Sequence, residues 1–470
     1  MSLSRTTSEL DLLLELPPRR GRRTALEQAL RGAIRDGRLT VGTALPSTRV
    51  LAHDLGIARS TVSEAYAQLS AAGYLTARQG SGTWVAPAAA SAPEEGGEQP
   101  AVQQPRFDLR PGVPDLSSFP RLLWQRALRR ALSSAGPDVF APADMRGRPE
   151  LRAALADYLA RARGVATAPG RLVVCNGFSQ GLKLLCDVLS ARGARRIAIE
   201  DPSLWLFPPI ARAAGLEPVP VPVDREGLAV ERLDGLDVSA VLVTPAHQFP
   251  LGATMSSRRR AELLTWAARR DAFVIEDDYD GEFRYDRHPI GALQGLDPDR
   301  VVYAGTAAKT LAPGVRLAWL ALPVALLPAA LEIRGVADRY AGVLDQLALA
   351  ELIDGGDFDR HVRRMRRTYR RRRDEVIGAV SAATPSIRIQ GTEAGLHAVL
   401  ELPGGVSEQE LLSRAGEREL EVHGLAPYRH GSYEGPEALV VGYGAPAEHA
   451  FPGSLRALAS LLRTSVATVA

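Results

Sequence analysis

The stretch V-I-E-D-D-Y-D-G-E-F-R-Y, residues 274–285, decides the fold of the larger part of this chain. Val274 and Ile275 have the apolar, β-branched character of the end of a buried strand. Asp277 and Tyr279 are therefore predicted at the carboxyl end of that strand. Open α/β sheets bind their ligands beyond the carboxyl ends of the strands. The stretch thus predicts a buried strand in such a sheet and a polar site where the strand ends.

A lysine stands thirty residues after Tyr279, in the segment G-T-A-A-K-T. It is Lys309, and among the 57 basic residues only Lys183 is also a lysine, so 55 are arginines. An amine can lose its proton and attack a carbonyl, whereas a guanidinium stays charged and does not. A lysine kept in an arginine-rich chain therefore predicts Schiff-base chemistry, for which pyridoxal phosphate is the usual carbonyl compound.

The neighbours of Lys309 suit that cofactor. The carboxylate of Asp277 can pair with a protonated pyridine nitrogen, and the phenol of Tyr279 can hydrogen-bond the ring hydroxyl. Arg316, seven residues after the lysine, offers a planar fork that matches a phosphate. Taken singly, these residues are better explained as a surface acidic loop, a lone lysine and an unrelated arginine. Their joint spacing after a predicted strand favours the cofactor site, and we predict Lys183 to be a surface helix residue.

Composition limits the class of protein. A chain of 470 residues is too long for one core and predicts two or three domains. The fractions of 46% hydrophobic and 24% charged residues are those of a soluble globular protein, and we expect no membrane span and no signal segment. Two cysteines argue against a disulfide framework, so we expect a cytoplasmic protein, and the scattered histidines suggest no metal site.

The basic charge is concentrated at the front of the chain. Residues 1–86 contain 11 arginines, no lysine and 7 acidic residues, so their net charge is 11 − 7 = +4. The whole chain has a net charge of +3. The remaining residues are therefore almost neutral. This asymmetry favours a polyanionic partner for the front end.

The front end has the pattern of two helices joined by a turn. A first helix is predicted over residues 22–36, and Ser47 is predicted to cap a short helix that ends near Leu55. A further helix over 59–72 is predicted to follow a glycine-containing turn. Two short strands are predicted around residues 79–82. The side chains predicted to be buried in the two longer helices are Leu26, Leu30, Ala33, Ile34, Val62, Ala65, Tyr66 and Leu69.

These segments resemble the winged helix-turn-helix of GntR-type transcription regulators. The resemblance is carried by L-P-S-T-R, S-T-V-S-E-A-Y, L-S-A-A-G-Y-L and R-Q-G-S-G-T-W-V. It implies double-stranded DNA as partner. The helix over residues 59–72 would contact base edges, and the tip of the wing would contact phosphates or the minor groove. The predicted DNA-binding residues are Arg49, Arg59, Ser60, Thr61, Gly80, Ser81 and Gly82. The alternative is that Arg49 and Arg59 are ordinary solvated arginines.

Four segments follow from this pattern. Residues 1–21 form an N-terminal extension, and 22–86 form the winged helix-turn-helix domain. Residues 87–106 have the proline, alanine, glycine and glutamate content of a flexible linker. In 107–470, strands and helices alternate, which predicts an α/β fold with a large mostly parallel sheet and a smaller C-terminal α+β part beginning near Asp357.

The larger part resembles fold-type I aminotransferases, and its combination with the front end is similar to the MocR subfamily of regulators. The resemblance implies that Lys309 carries pyridoxal phosphate as an internal aldimine, with Asp277 on the pyridine nitrogen and Tyr279 on the ring hydroxyl. It also implies that His247 and Gln248 lie near the ring. The residues implied to hold the phosphate are Arg316, Thr306 and the turn Asn176, Gly177, Phe178 and Ser179, which precedes a helix.

The chain departs from the family pattern around the cofactor. Ala308 stands where a serine usually donates to the phosphate, and Leu204, beside Trp205, stands where an aromatic residue usually stacks on the ring. Pro142 stands where a tyrosine usually reaches the neighbouring subunit's phosphate, unless Phe140 is shifted into that position. These changes predict a weaker affinity for the cofactor or an altered ligand.

A further departure concerns the carboxylate of an amino acid. Many aminotransferases place an arginine for that carboxylate near Val440, and this chain has none there, so Arg429 is the candidate for an effector carboxylate. Because turnover requires a positioned carboxylate, this favours sensing over catalysis. The run of arginines over residues 363–373 is interpreted as a solvated helix face in preference to a second DNA contact.

The predicted function is a transcription regulator that senses pyridoxal phosphate, or an amine or amino-acid effector, and controls operator binding. Fold-type I proteins usually dimerise, so the resemblance implies a homodimer that reads two half-sites. One alternative is an active pyridoxal-phosphate-dependent aminotransferase that has a DNA-binding domain. The other is a regulator whose aminotransferase-like domain only dimerises.

Overall fold

A computed structural model describes most of the chain. Residues 1–20 of the predicted extension, residues 88–104 of the predicted linker, and the wing residues Gly80 and Ser81 lie outside the described residues. The chain forms two compact units, Met1–Gln103 and Gln104–Ala470, and their boundary falls inside the predicted linker. The described ranges are 21–78, 82–87, 105–142, 144–286, 290–431 and 433–466.

The first unit is a helical domain with a small sheet. Three antiparallel strands in the order β1-β3-β2 pack beside three helices. The Ser47 hydroxyl accepts a hydrogen bond of 3.3 Å from the Val50 amide, which confirms the predicted cap. All eight side chains predicted to be buried are in the core. The elements are α1 Arg22–Arg35, β1 Ala44–Leu45, α2 Thr48–Asp54, α3 Arg59–Ala71, β2 Leu75–Arg78 and β3 Gly82–Val85.

The larger part of the second unit is built on one sheet with helices around it. Its elements are β4 Phe107–Asp108, α4 Arg121–Ser134, α5 Pro149–Arg163, β5 Leu172–Cys175, α6 Phe178–Ala191, β6 Arg196–Asp201, α7 Phe207–Ala213, β7 Glu217–Asp224, β8 Gly227–Leu228, β9 Ala240–Val243, α8 Ser257–Arg270, β10 Phe273–Asp278, β11 Val301–Thr306, β12 Ala318–Ala321, α9 Leu327–Ala337 and α10 Val343–Asp354.

The order of strands in this sheet is β5-β12-β11-β10-β9-β6-β7-β8. Strands β7, β6, β9, β10 and β11 run parallel, whereas β12 and β8 are antiparallel to their neighbours. Central strands such as β9 and β11 are buried along their whole length, as their continuous apolar sequences predict. The predicted large, mostly parallel sheet is confirmed.

Helix α11 begins at Asp357, near which the smaller part is predicted to begin, and an antiparallel sheet in the order β13-β14-β17-β16 follows it. In addition, β15 of the smaller part pairs in parallel with β4, the first strand of the second unit. The elements are α11 Asp357–Ala383, β13 Arg388–Gln390, β14 His397–Glu401, α12 Glu408–Gly416, β15 Leu420–Glu421, β16 His423–Gly424, β17 Ala438–Gly442 and α13 Phe451–Val466.

Helix α11 contains the arginine run and corrects one detail of its interpretation. Arg363, Arg367 and Arg370 are exposed, as expected for a solvated face. Arg372 is instead fully buried, and its guanidinium donates to Asp115 Oδ2 at 2.9 Å and to three backbone carbonyls. The run therefore combines a solvated face with one arginine that belongs to the core.

Two other sequence expectations can be compared with the described residues. Cys175 and Cys186 are buried free thiols and form no disulfide. Lys183 forms an ion pair of 2.6 Å with Asp187, one turn further along the helix, which fits a surface helix residue. Within the described part of the chain, no helix combines the length and apolar character needed to cross a membrane.

Candidate functional site

The sheet brings the acidic stretch and the lysine to the same edge. Strand β10 pairs in parallel with β11, with Asp277 opposite Ala304, so both strands end together. Asp277 is the second-to-last residue of β10, and Lys309 follows the end of β11 by three residues. The carboxyl ends of parallel strands form the edge where α/β sheets bind ligands. The two residues therefore meet because their strands are neighbours.

A cavity of about 260 Å³ opens at this edge. With the exception of Asn176, every residue predicted to bind the cofactor lines it. Asn176 lies directly beside the cavity, where its backbone carbonyl accepts a hydrogen bond of 2.6 Å from Arg316. The predicted residues that line the cavity are Lys309, Asp277, Tyr279, Arg316, Thr306, Gly177, Phe178 and Ser179.

The amine of Lys309 is held by the loop that begins the unit. Its Nζ donates to the backbone carbonyl of Gly112, a glycine with φ of +74° that also lines the cavity. Burial lowers the pKa of the amine, and the carboxylates of Asp280 and Asp277 oppose that shift. The lowered pKa increases the fraction of neutral, nucleophilic amine.

Asp277 is a buried carboxylate with an unsatisfied atom. It is 5% exposed, and its Oδ1 has no hydrogen-bond partner among the described residues. Burial raises the pKa of this carboxyl well above its usual range, although the Lys309 amine opposes the shift. Buried polar atoms are rarely left without a partner, so this oxygen suits a cationic donor in the cavity, such as a pyridinium N–H.

The phenol of Tyr279 lies between the cavity and a buried histidine. Its Oη is 3.0 Å from His247 Nδ1, and the same nitrogen is 2.8 Å from Asp280 Oδ2. A His247 tautomer that donates its Nδ1 proton to the Asp280 carboxylate leaves the Tyr279 hydroxyl proton available. The phenol is then a donor that can be directed into the cavity.

An anion cradle lies at the beginning of α6. Gly177 precedes the helix with φ of +85° and no side-chain cap, so the first N–H groups of the helix remain open. A Cβ added at Gly177 would lie 2.8 Å from Cζ of Arg316, so glycine lets the guanidinium lie against the helix terminus. Arg316 itself adopts a left-handed conformation, with φ of 55°. A helix N-terminus combined with a guanidinium suits a phosphate.

Thr306 has a different hydrogen-bonding pattern from the one expected. Its hydroxyl donates to the Leu317 carbonyl at 3.2 Å and accepts from the Ala308 amide at 3.1 Å. The side chain therefore supports the loop that carries Lys309. Its role as a phosphate ligand stays a prediction, since the hydroxyl would have to exchange its present partner.

Two further expected residues, Gln248 and Arg429, have different surroundings from those implied by the resemblance. Gln248 is buried, and its amide donates to Glu200 and to the carbonyls of Pro202 and Phe249, so it holds the loop together. Arg429 does not line the cavity. Its guanidinium donates to the Pro436 carbonyl at 2.9 Å and lies 4.9 Å above the ring of Tyr433. Its assignment to an effector carboxylate stays a prediction.

Leu204 and Trp205, which stand at the stacking position, both line the cavity, and Trp205 is 54% exposed. Sequence reasoning missed a set of aromatic residues beside them. His423 and Tyr428 line the cavity with a distance of 2.7 Å between Nδ1 and Oη. The ring of Phe249 is edge-on to Tyr428, 5.2 Å away. No sequence signal indicated them, because they come from the smaller part and from a distant loop.

The predicted DNA-binding residues cluster around the beginnings of α2 and α3. Arg49 and Arg59 are exposed, as is Ser60, and Thr61 is half-buried. Arg59 donates to the Thr48 hydroxyl at 3.4 Å, which links the beginnings of the two helices. Helix α3 has no side-chain cap; the Thr61 amide donates to the Ala58 carbonyl at 3.0 Å, and the amides of Arg59 and Ser60 are the ones available to an anion. Gly82 begins β3 with φ of +116°.

Two families of known proteins match this chain. Bacterial regulatory proteins of the gntR family match residues 22–85, and aminotransferases of class I and II match residues 112–419. The first match identifies a DNA-binding helix-turn-helix domain. The second identifies an aminotransferase fold, whose family members depend on pyridoxal phosphate. The chain therefore combines a gntR-type DNA-binding domain with an aminotransferase domain of class I and II.

Curated relatives define the class more narrowly. The uncharacterized HTH-type regulator YdeL of Bacillus subtilis is 36% identical over 84% of this chain and 87% of its own length. The probable rhizopine catabolism regulatory protein MocR of Rhizobium meliloti is 36% identical over 83% and 84%. The pyridoxine biosynthesis regulator PdxR of Corynebacterium glutamicum is 34% identical over 90% and 91%. This chain belongs to the family of HTH-type transcriptional regulators with an aminotransferase-like domain.

Solved structures agree with this assignment. An archaeal alanine:glyoxylate aminotransferase covers 77% of this chain and 92% of its own, with a TM-score of 0.70 and 26% identity. The predicted fold class, a winged helix-turn-helix joined to a fold-type I aminotransferase-like domain, is confirmed.

Proposed function

We propose that this regulator binds pyridoxal phosphate on Lys309 and senses the cofactor itself or a primary amine. Binding in the cavity would control the affinity of the helix-turn-helix domain for an operator. The observation that carries the proposal is the unpartnered, buried oxygen of Asp277, in the cavity that the Lys309 amine also lines. A domain kept only for dimerisation has no need for an unsatisfied buried carboxylate beside a lysine.

When bound, pyridoxal phosphate supplies an aldehyde that condenses with amines and a ring that accepts electrons. The residues of this chain would hold it. Asp277 would receive a hydrogen bond from the ring nitrogen, and Tyr279 would donate to the ring hydroxyl. Arg316 and the first turn of α6, including Ser179, would bind the phosphate. The His247–Asp280 pair would keep the proton of Tyr279 directed toward the ring.

Sensing is favoured over turnover by the lining of the cavity. Among the described lining residues, Arg316 is the only arginine, and it belongs to the proposed phosphate cradle. A second guanidinium for an amino-acid carboxylate is therefore absent from this lining. Sustained transamination of an amino acid with an oxo acid would overturn the sensing proposal in favour of an enzyme.

The remaining parts of the proposal concern assembly and location. We infer a homodimer whose two helix-turn-helix domains read two half-sites of an operator, because such domains bind DNA as symmetric pairs. Ligand binding would shift the population between arrangements of these domains across the predicted linker. A regulator whose partner is genomic DNA is inferred to act in the cytoplasm.

Replacing Arg316 with glutamine should weaken binding of pyridoxal phosphate by about tenfold to a hundredfold, because a charge-assisted contact to the phosphate is lost. The measurement is a titration of the purified full-length protein, followed by its visible absorption. Arg429→Gln is the matched control, since this arginine lies outside the cavity, and its affinity for the cofactor should remain that of the wild type. Equal affinity in the wild type and Arg316→Gln would remove the phosphate cradle from the proposal.

Replacing Arg59 with alanine should weaken binding to a selected operator fragment by about tenfold or more, since a contact at the beginning of α3 is lost. Arg49→Ala should reduce the magnitude of the slope of log binding constant against log salt concentration by about one, because one phosphate contact is lost. Fluorescence anisotropy at several salt concentrations measures both. Arg38→Ala removes the same charge from the exposed turn after α1 and serves as control. Unchanged binding in Arg59→Ala and Arg49→Ala would exclude the proposed DNA-binding surface.

A further inference from the structure

The polar groups that line the cavity divide into two sets. Lys309, Asp277, Tyr279 and Arg316 are assigned to the cofactor by the proposed function, on which this inference rests. The basic side chain that remains in the described lining is His423. It enters the cavity from the smaller part of the unit, together with Tyr428. A ligand beside the cofactor would therefore meet an imidazole instead of a guanidinium.

His423 and Tyr428 form a hydrogen-bonded pair. Nδ1 of His423 is 2.7 Å from Oη of Tyr428, which is 2% exposed. No described residue makes a hydrogen bond with the other ring nitrogen, Nε2, and it is not among the buried atoms without a partner. When the Tyr428 hydroxyl donates to Nδ1, the Nε2 nitrogen carries the proton and becomes a donor toward the cavity. The pair then presents one directed hydrogen-bond donor.

The surroundings of the pair favour its neutral form. Burial lowers the pKa of the His423 imidazole, Arg110 lowers it further, and the carboxylates of Glu421 and Asp108 oppose the shift. Asp108 is itself paired with Arg110 through a 2.6 Å contact, which limits its effect on the imidazole. A neutral imidazole cannot compensate the charge of a carboxylate, but it can donate to a hydroxyl or another neutral acceptor.

Apolar side chains form the wall beside the pair, while the hydroxyls of Ser179 and Thr306 and the indole of Trp205 line other parts of the cavity. Pro111, Leu204, Phe207 and Phe249 line the cavity beside the pair. A carboxylate moved from water to such surroundings without a charged partner is strongly disfavoured, whereas a hydroxyl needs only a hydrogen bond. Such a site discriminates against a ligand without a suitable hydrogen-bonding group, because the buried donor of the protein would then have no partner, which costs free energy.

We propose that the effector is a small primary amine with a neutral hydrogen-bonding group, such as an amino alcohol, and that His423 and Tyr428 bind this group. The amine is directed to the cofactor end of the cavity, where Lys309 lies. Selection against amino acids follows from the described lining, because its one guanidinium, Arg316, is assigned to the phosphate, and a carboxylate beside His423 would meet mainly apolar side chains. This proposal replaces the predicted carboxylate role of Arg429, which lies outside the described lining and whose guanidinium contacts the Pro436 carbonyl and the Tyr433 ring.

The test uses matched pairs of probes and the full-length protein loaded with pyridoxal phosphate. The pairs are 2-aminoethanol with glycine, 3-aminopropan-1-ol with β-alanine, and 4-aminobutan-1-ol with 4-aminobutanoate, which differ only in hydroxyl against carboxylate. Each is titrated while the visible absorption is followed, with calorimetry as a second readout. For at least one chain length, the alcohol should half-saturate the protein at about one tenth or less of the concentration that the acid requires.

Two variants locate the selectivity. His423→Arg introduces a guanidinium and should reverse the preference within the best pair, while Tyr428→Phe should reduce the advantage of the alcohol. The Arg429→Gln variant should behave as the wild type with every probe. An acid that binds as well as its alcohol at all three lengths would overturn the inference, as would loss of ligand selectivity in Arg429→Gln.

The outcome also separates this inference from the proposed function. If the protein forms no visible band with pyridoxal phosphate, the proposed function fails, and the inference fails with it. If the band forms but amino acids are preferred, only the assignment of the ligand class to His423 and Tyr428 is overturned.

Discussion

Replacement of Lys309 by alanine is expected to abolish covalent attachment of pyridoxal phosphate, the largest effect of any single substitution in the cavity. Borohydride reduction of the loaded wild-type protein should fix one cofactor per chain, and peptide mass spectrometry should locate it on the segment that contains Lys309. The reason is chemical, because only a neutral amine forms the bond, and burial favours the neutral amine here. The variant should show neither the visible band nor the added mass.

The composition of the chain supplies two matched controls for this prediction. Lys183→Ala removes the only other lysine, which lies on the surface of α6 in an ion pair with Asp187, and should leave the attachment unchanged. Lys309→Arg keeps a positive charge near Gly112 but cannot form the covalent bond, so it separates electrostatic attraction from covalent chemistry. Cofactor fixed in Lys309→Ala, or lost in Lys183→Ala, would contradict the assignment of the lysine.

Replacing Arg372 with methionine should lower the free energy of unfolding of the second unit by about 3–5 kcal/mol, because a buried ion pair is broken. The guanidinium is fully buried and donates to Asp115, to the carbonyl of Pro446 at 2.8 Å, and to Glu448. Its loss leaves Asp115 and several carbonyls with fewer partners. Urea unfolding followed by tryptophan fluorescence measures the effect, since four of the five tryptophans follow residue 104.

The same helix provides the control for this second prediction. Arg370→Met removes an identical charge two residues earlier, where the side chain is exposed, and should change the free energy of unfolding by no more than about 0.5 kcal/mol. A loss of similar size in both variants would show that the net charge of α11 matters and that the buried contacts of Arg372 do not. Retained stability in Arg372→Met would contradict the role assigned to the pair with Asp115.

Much of the fold was accessible from sequence because its signals are local. The helices described in the first unit agree with the predicted ones to within one or two residues: Leu26 and Leu30 recur at helical spacing, and Ser47 is a side chain suited to cap a helix. In the second unit, the buried strand at Val274 was recognised from its apolar residues. Gly164 ends α5 in a left-handed conformation, which glycine adopts without strain. Each of these features depends on a few adjacent residues.

The sequence by itself also determined which chemistry is available. A single lysine outside the surface of α6, followed seven residues later by Arg316, pointed to a carbonyl cofactor with a phosphate before any fold was known. Residue type alone carries this argument, because an amine and a guanidinium differ in their chemistry wherever they lie. The two domains follow in the same way from motifs that are each continuous in the chain.

Only the tertiary structure decided how side chains from distant segments share one cavity. His423 and Tyr428 reach it because β16 belongs to a sheet that folds back on the larger part. Arg429, one residue further, is turned toward Tyr433 instead. Arg372 is buried among exposed arginines for the same reason, since Asp115 approaches only after folding. Periodicity reports the face that a residue occupies along its own element, whereas its partners depend on long-range packing, which no local pattern encodes.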